Sequence, residues 1–205
     1  MIIEVLFEIS LLFIFPIILL RYHLISSKFR FATFLTIPFI IFCIILFKQW
    51  SFADVGLRTD NIFSALFAYG IFTLLGIVVI IGYAHLLRRP YRRQWWRYWH
   101  FQIGFLILAF LQQFVFQGFL VRQLQLLGLS SFLIVIIPAF FYILIHLIYE
   151  DFLEGLPLLI LAGVGFSFLF LLYQNLFVAT LSHAILNFIA VLYGFFSKPY
   201  RHRLE

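Results

Sequence analysis

Seven runs of almost unbroken apolar residues constrain this chain more than anything else in it. They lie near 2–20, 31–47, 62–87, 101–121, 131–149, 156–173 and 176–196. A helix needs about 20 apolar residues to cross the hydrocarbon core of a bilayer, with a range of about 17–25. Inside lipid each backbone polar group must be satisfied within its own segment, which selects helices for continuous runs of this length. Period-two alternation, the mark of membrane strands, is missing from them. Composition closes the argument: 65% of residues are hydrophobic and 11% charged, at a mean hydropathy of +1.11. A soluble domain carries about 45–50% apolar residues and has too much surface to hide a larger share. A soluble enzyme, a disordered chain and a disulfide scaffold are excluded. The expected fold is all-α: a polytopic membrane bundle of about seven transmembrane helices, forming one membrane domain over residues 1–205.

The charges that remain predict an orientation. With the N-terminus outside, the inner regions hold Arg21, Lys28, Arg30, Arg88, Arg89, Arg92, Arg93, Arg97, Lys198, Arg201 and Arg203, and the outer ones only Lys48, Arg58 and Arg122. The positive-inside rule then places the C-terminus in the cytoplasm. The net charge of +6 belongs to these loops and not to a nucleic-acid surface. Arginine interleaved with Trp and Tyr over residues 88–100 predicts a helix lying among the headgroups. The start of the chain lacks the basic region of a cleaved signal peptide, so the first run is expected to stay in the mature protein. Cys43 is the only cysteine and reads as an apolar packing residue.

Polar side chains at membrane depth are costly, so function is sought there. The fourth run carries Gln112, Gln113 and Gln117, followed by Gly118. Gln113 and Gln117 are four apart and share a helix face. The fifth ends with His146, and Glu150 follows one turn later. The seventh carries His183 and Asn187, also one turn apart, which can together face a water, a metal or an oxyanion. Glu4 and Glu8 stack near the end of the first run and read as exposed to headgroups, while Glu150, Asp151 and Glu154 read as a solvated loop. The run limits put the two histidines at different depths, so their convergence requires those limits to shift by a few residues.

In order and spacing these sets resemble the CPBP family, the membrane CAAX proteases and bacteriocin-processing enzymes. The family pattern is Glu-Glu-x-x-x-Arg, then Phe-x-x-x-His, then His-x-x-x-Asn/Asp. Here it reads Gln112-Gln113-x-x-x-Gln117, Tyr142-x-x-x-His146 and His183-x-x-x-Asn187. Val55-Gly56-Leu57-Arg58 is similar to the family's Gly-Leu-Arg segment, and residues 161–187 are similar to its Gly-rich helix, turn and His helix. The likeness spans about residues 52–192. It implies an intramembrane endopeptidase in which the first Glu and first His activate water, and the second His and the Asn hold the oxyanion. Carried over, His146 orients the water, His183 and Asn187 form the oxyanion pair, and Gln112 stands at the position of the activating Glu. No cofactor follows from the residues; the resemblance leaves a divalent metal such as zinc open.

The departure falls on the base. A carboxylate with a tuned pKa takes a proton from water, whereas a Gln amide is not basic and only hydrogen-bonds. Losing general-base help costs about 10²–10⁴-fold in rate. Two carboxylates and a cation have become three neutral amides, which leaves no unpaired charge in the membrane. The first expectation is therefore a catalytically impaired membrane binding or scaffold protein, whose partners are membrane lipid and a membrane-associated peptide or protein, without nucleic acid. The alternatives are an active protease with another base, for which Glu150 is the nearest replacement, and a structural subunit of a membrane complex.

Overall fold

The computed structural model describes residues 2–22, 24, 30–91 and 99–196. Residues 92–98, the middle of the expected headgroup helix, lie outside the described residues, as do Lys28, Lys198, Arg201 and Arg203. Seven helical rods are found among the described residues. We number them α1 (2–21), α2 (Arg30–Phe47), α3 (Ile62–Leu86), α4 (99–126), α5 (Ser131–Ile145), α6 (Phe152–Tyr173) and α7 (Leu176–Leu192). Five are long and apolar enough to cross a membrane; the apolar stretches Leu35–Phe47 and Leu176–Leu192 are shorter. The chain is a helical membrane bundle.

Contacts between helix ends show the rods alternating in direction. On one face Lys48, just past α2, pairs with Glu4 and Glu8 of α1, and Arg122 of α4 pairs with Asp54. On the opposite face Arg89, just past α3, pairs with Asp151 and Glu154 at the start of α6 and donates to the Gly194 carbonyl beyond α7. These pairs correct two expectations. Glu8 is half-buried against Lys48 and also accepts from Gln123, and Asp151 and Glu154 are held in ion pairs. Once an acid enters the bundle, an adjacent cation offsets the cost of removing it from water.

α4 is the axis of the fold. Half of its span Ile103–Leu126 is buried, against 22% for α3. It packs on α2, α5, α6 and α7, while α7 also packs on α3, and α5 on α6. From Phe114 to Val121 α4 widens into a π turn whose eight residues are all buried. Buried all round, this stretch is core and not lipid surface. Large apolar side chains such as Phe39, Phe63, Phe67, Leu74 and Phe132 cover the outside.

Two helix limits differ from expectation. α6 starts at Phe152, so Pro157 is its sixth residue and not in its first turn. The carbonyl left unpaired by a proline is four residues back, at exposed Leu153 near the helix end, where the loss is tolerated. α5 ends at Ile145 and gives way to a 3-10 turn, His146–Ile148.

The segment 51–61 closes the face that carries Lys48. Ser51 caps the short 3-10 turn Phe52–Val55 reciprocally with Asp54. Gly56 then adopts φ +83°, and its carbonyl accepts from the Leu176 amide at 2.8 Å. Buried Asn175 caps α7 through Val178 and donates to the Arg58 carbonyl (3.1 Å) and Asn61 (2.8 Å). The Gly-Leu-Arg segment is thus the clamp that sets where α7 begins, and with it the depth of His183.

Candidate functional site

The geometry begins on α4. Gln113, almost wholly buried, reaches across to α7, where its amide nitrogen lies 2.9 Å from His183 Nδ1. The other ring nitrogen of His183, Nε2, lies 3.3 Å from the Tyr142 hydroxyl of α5. The Tyr142 carbonyl in turn lies 2.7 Å from His146 Nδ1. The two histidines therefore meet through Tyr142, whose ring packs 4.8 Å from the imidazole of His146 and 5.6 Å from that of His183. The fold brings the three motifs together, and the join between them is Tyr142, which the pattern gave only as the residue at the Phe position of the second motif. A Tyr one turn before a His was the available signal.

The shortened α5 accounts for this join. His146 sits at the helix end, packed on Tyr149 and on Phe196 from beyond α7. Tyr142, one turn earlier, lies inside the helix and spans the remaining offset in depth. It can do so because α6 passes close by: a Cβ on Gly163 would stand 3.2 Å from both the Ala139 backbone and the Tyr142 ring.

The other amides take separate places. Gln117 donates to Ser167 of α6 at 3.2 Å. Gln112, the position aligned with the activating Glu, faces away from the histidines. It lines a small apolar cavity of about 40 Å³ between α1, α2, α4 and α5, beside Pro16 and Pro38. The residue that meets His183 is Gln113. Asn187 lines a larger cavity of about 190 Å³ between α3, α5, α6 and α7, together with Tyr142, His183 and Phe166. Leu75, Val79 and Leu161 stand at its edge with exposed side chains, so this cavity opens sideways toward the membrane. Deeper in the bundle, Thr73 of α3 and Ser182 of α7 share a hydrogen bond of 2.6 Å. The carbonyl oxygens of Gln112, Gln113 and Gln117 are buried without partners.

The described acids are all elsewhere. Seven of the eight lie among the described residues. Glu4 and Glu8 go to Lys48, Asp54 to Ser51 and Arg122, Asp60 to Arg58, and Asp151 and Glu154 to Arg89. Glu150 is exposed beyond the end of α5, and the broken helix removes it from the face of His146. A catalytic zinc asks for three protein donors from His, Cys and carboxylates. Among the described residues no three such groups converge, and both nitrogens of His183 already face protein. The donor set does not fit a zinc.

Residues 94–189 match the family model described as Rce1-like, type II CAAX prenyl endopeptidase Rce1-like. That stretch contains all three motifs and nearly all of the helices that carry them. The comparisons with curated proteins and with solved structures give no significant match. The resemblance drawn from the motifs is borne out over that stretch.

Proposed function

We propose that the protein uses a CPBP-type membrane scaffold to bind its ligand without hydrolysing it. The observation that carries this is the neutral contact Gln113–His183, with six of the seven described carboxylates paired to cations elsewhere and Glu150 exposed beyond the end of α5. Water activation requires a group that accepts a proton at neutral pH. The amides at 112, 113 and 117 cannot serve, and His183, with both nitrogens engaged, offers no free lone pair, so His146 is left without a carboxylate to work with. What remains is a polar pocket in an apolar cleft that opens to lipid, suited to hold a membrane-borne peptide, a lipid-modified tail or part of another membrane protein.

A cleavage assay on purified protein, across a broad panel of membrane peptides, tests this. Wild type, His146→Ala, Gln112→Glu and Gln113→Glu are compared. No cleavage by wild type is expected. Cleavage by wild type that disappears in His146→Ala would overturn the reading in favour of an active protease. Gain of cleavage in either Glu variant would show that a base is all the scaffold lacks.

We also propose that the N-terminus lies outside and the C-terminus in the cytoplasm. Support comes from the five arginines that follow α3 in the sequence (Arg88, Arg89, Arg92, Arg93 and Arg97), against only Lys48, Arg58 and Arg122 on the opposite face. Tags at each end, probed with a membrane-impermeant reagent on intact cells, should label only at the N-terminus.

A further inference from the structure

We propose that the Tyr142 hydroxyl is the group that reads the ligand: a hydrogen-bond donor aimed into the lipid-opening cavity, selecting an amphiphile with a carbonyl acceptor on an apolar body. This rests on the binding reading of the cavity and specifies what is bound. Charge is expensive at this depth, so the His183 ring is neutral and carries a single proton. The Gln113 amide nitrogen lies on Nδ1, and an N–H can only donate, so Nδ1 accepts. The ring proton then sits on Nε2, where it is donated to the Tyr142 oxygen. The Tyr142 hydrogen is left to point elsewhere, and the ring lines the cavity. Three donors run head to tail from Gln113 through His183 to Tyr142 and end in the cleft.

A carboxylate at position 113 would reverse this chain. It can only accept, so it would draw the proton to Nδ1 and leave Nε2 as an acceptor. The exchange of Glu for Gln therefore does more than delete a base: it turns the pocket from acceptor to donor. The second exchange, Tyr142 where the family pattern has Phe, supplies the hydroxyl that carries the donor outward. The cavity fits such a ligand. Of its sixteen lining residues, Tyr142, His183 and Asn187 are the polar ones, and the edge residues Leu75, Val79 and Leu161 face the membrane.

Two measurements decide it, both on the full chain in dodecyl maltoside, a detergent without a carbonyl. Nitrogen-15 spectra of labelled histidine should show His183 protonated on Nε2 in wild type and on Nδ1 in Gln113→Glu. Wild-type protonation on Nδ1 would overturn the proposal. In the second, a long-chain methyl ester bearing a diazirine is compared with the matching diazirine alkane, and crosslinks are mapped to the peptides of α3, α6 and α7. The ester should label wild type about fivefold more than the alkane, as one neutral hydrogen bond allows. Tyr142→Phe should erase the difference while leaving alkane labelling intact. Equal labelling of wild type by both probes, or an ester preference that survives in Tyr142→Phe, would overturn it. Neither readout depends on whether the protein cleaves peptides, so its failure is separable from failure of the binding reading.

Discussion

At the scale of single residues, an amide is a weaker commitment than a charge but is still costly to leave alone. Gln117 and Ser167 are both buried and meet at 3.2 Å. A double-mutant cycle over Gln117→Ala and Ser167→Ala, followed by thermal unfolding in detergent, should give a coupling of about 0.5–1.5 kcal/mol. A coupling near zero would mean that the two side chains do not bond. Outside the membrane, Asp54 supplies a pH dependence. Hydrogen bonds from Ser51, with Arg122 adding to them, hold its carboxyl below the usual carboxylate range. The folded state therefore prefers the ionised form. This stabilisation is complete above the unfolded value of about 3.9 and is lost as pH falls through the lower folded value. Stability of wild type should drop below about pH 4, and Asp54→Asn should flatten that limb of the curve. An unchanged limb would remove Asp54 from the account. At this scale the sequence was legible wherever chemistry was unusual for its surroundings: His146, His183 and Gln113 stood out because membrane interiors rarely carry them. Tyr142 was legible only as the residue at the Phe position of the second motif, since its link to His183 depends on what α7 places beside it.

At the scale of elements, unbroken hydrophobicity located every rod but not its ends. The apolar run continues to Ile148, whereas the α-helix of α5 stops at Ile145, because leaving a helix near the membrane edge changes no hydrophobicity. The π turn of α4 was equally hidden, since it changes hydrogen-bond register without changing composition. Its packing is testable at Gly118. A Cβ there would stand 2.9 Å from the Val55 carbonyl, pressing α4 against the turn 52–55, whereas one on Gly82 meets nothing within 4 Å. Gly118→Ala should cost about 1–3 kcal/mol, and Gly82→Ala should be neutral or gain up to about 1 kcal/mol of helix propensity. Equal midpoints for the two variants in thermal unfolding would show that the turn does not seat on α4. Asn175 makes the stronger case, as its side chain both caps α7 and ties down residues 58 and 61. Loss of a cap costs about 0.5–2 kcal/mol, and two lost tethers add to it. Asn175→Ala should therefore lower the unfolding midpoint and expose the 56–61 loop to protease before the bundle opens.

For the whole molecule, the question is what stops seven apolar rods from sliding past one another in a solvent as apolar as their own side chains. Lipid provides no hydrophobic drive between helices, so register has to come from polar contacts and close packing. The structure concentrates the charged contacts in two belts. One is the cluster of Lys48, Glu8, Gln123, Arg122 and Asp54; the other is Arg89. Arg89 holds three helix ends at once: its own past α3, the start of α6 through Asp151 and Glu154, and the Gly194 carbonyl after α7, with Phe195 lying 4.1 Å beneath its guanidinium. Asp151 also accepts from the Phe196 amide at 3.1 Å, and Phe196 packs on His146. Removing the arginine should therefore act at a distance, loosening the wall of the site while leaving its hydrogen bonds in place. The Arg89–Asp151 pair is mostly buried, between the exposed class at about 0–1 kcal/mol and the fully buried class at about 3–5 kcal/mol. Arg89→Ala should cost about 2 kcal/mol in thermal unfolding. Arg89→Lys should recover only part of this, because an ammonium cannot reach two carboxylates and a carbonyl with a planar fork. Glu154→Gln should change little, since that carboxylate is largely exposed. A wild-type midpoint for Arg89→Ala would show that the helix ends are held by packing alone.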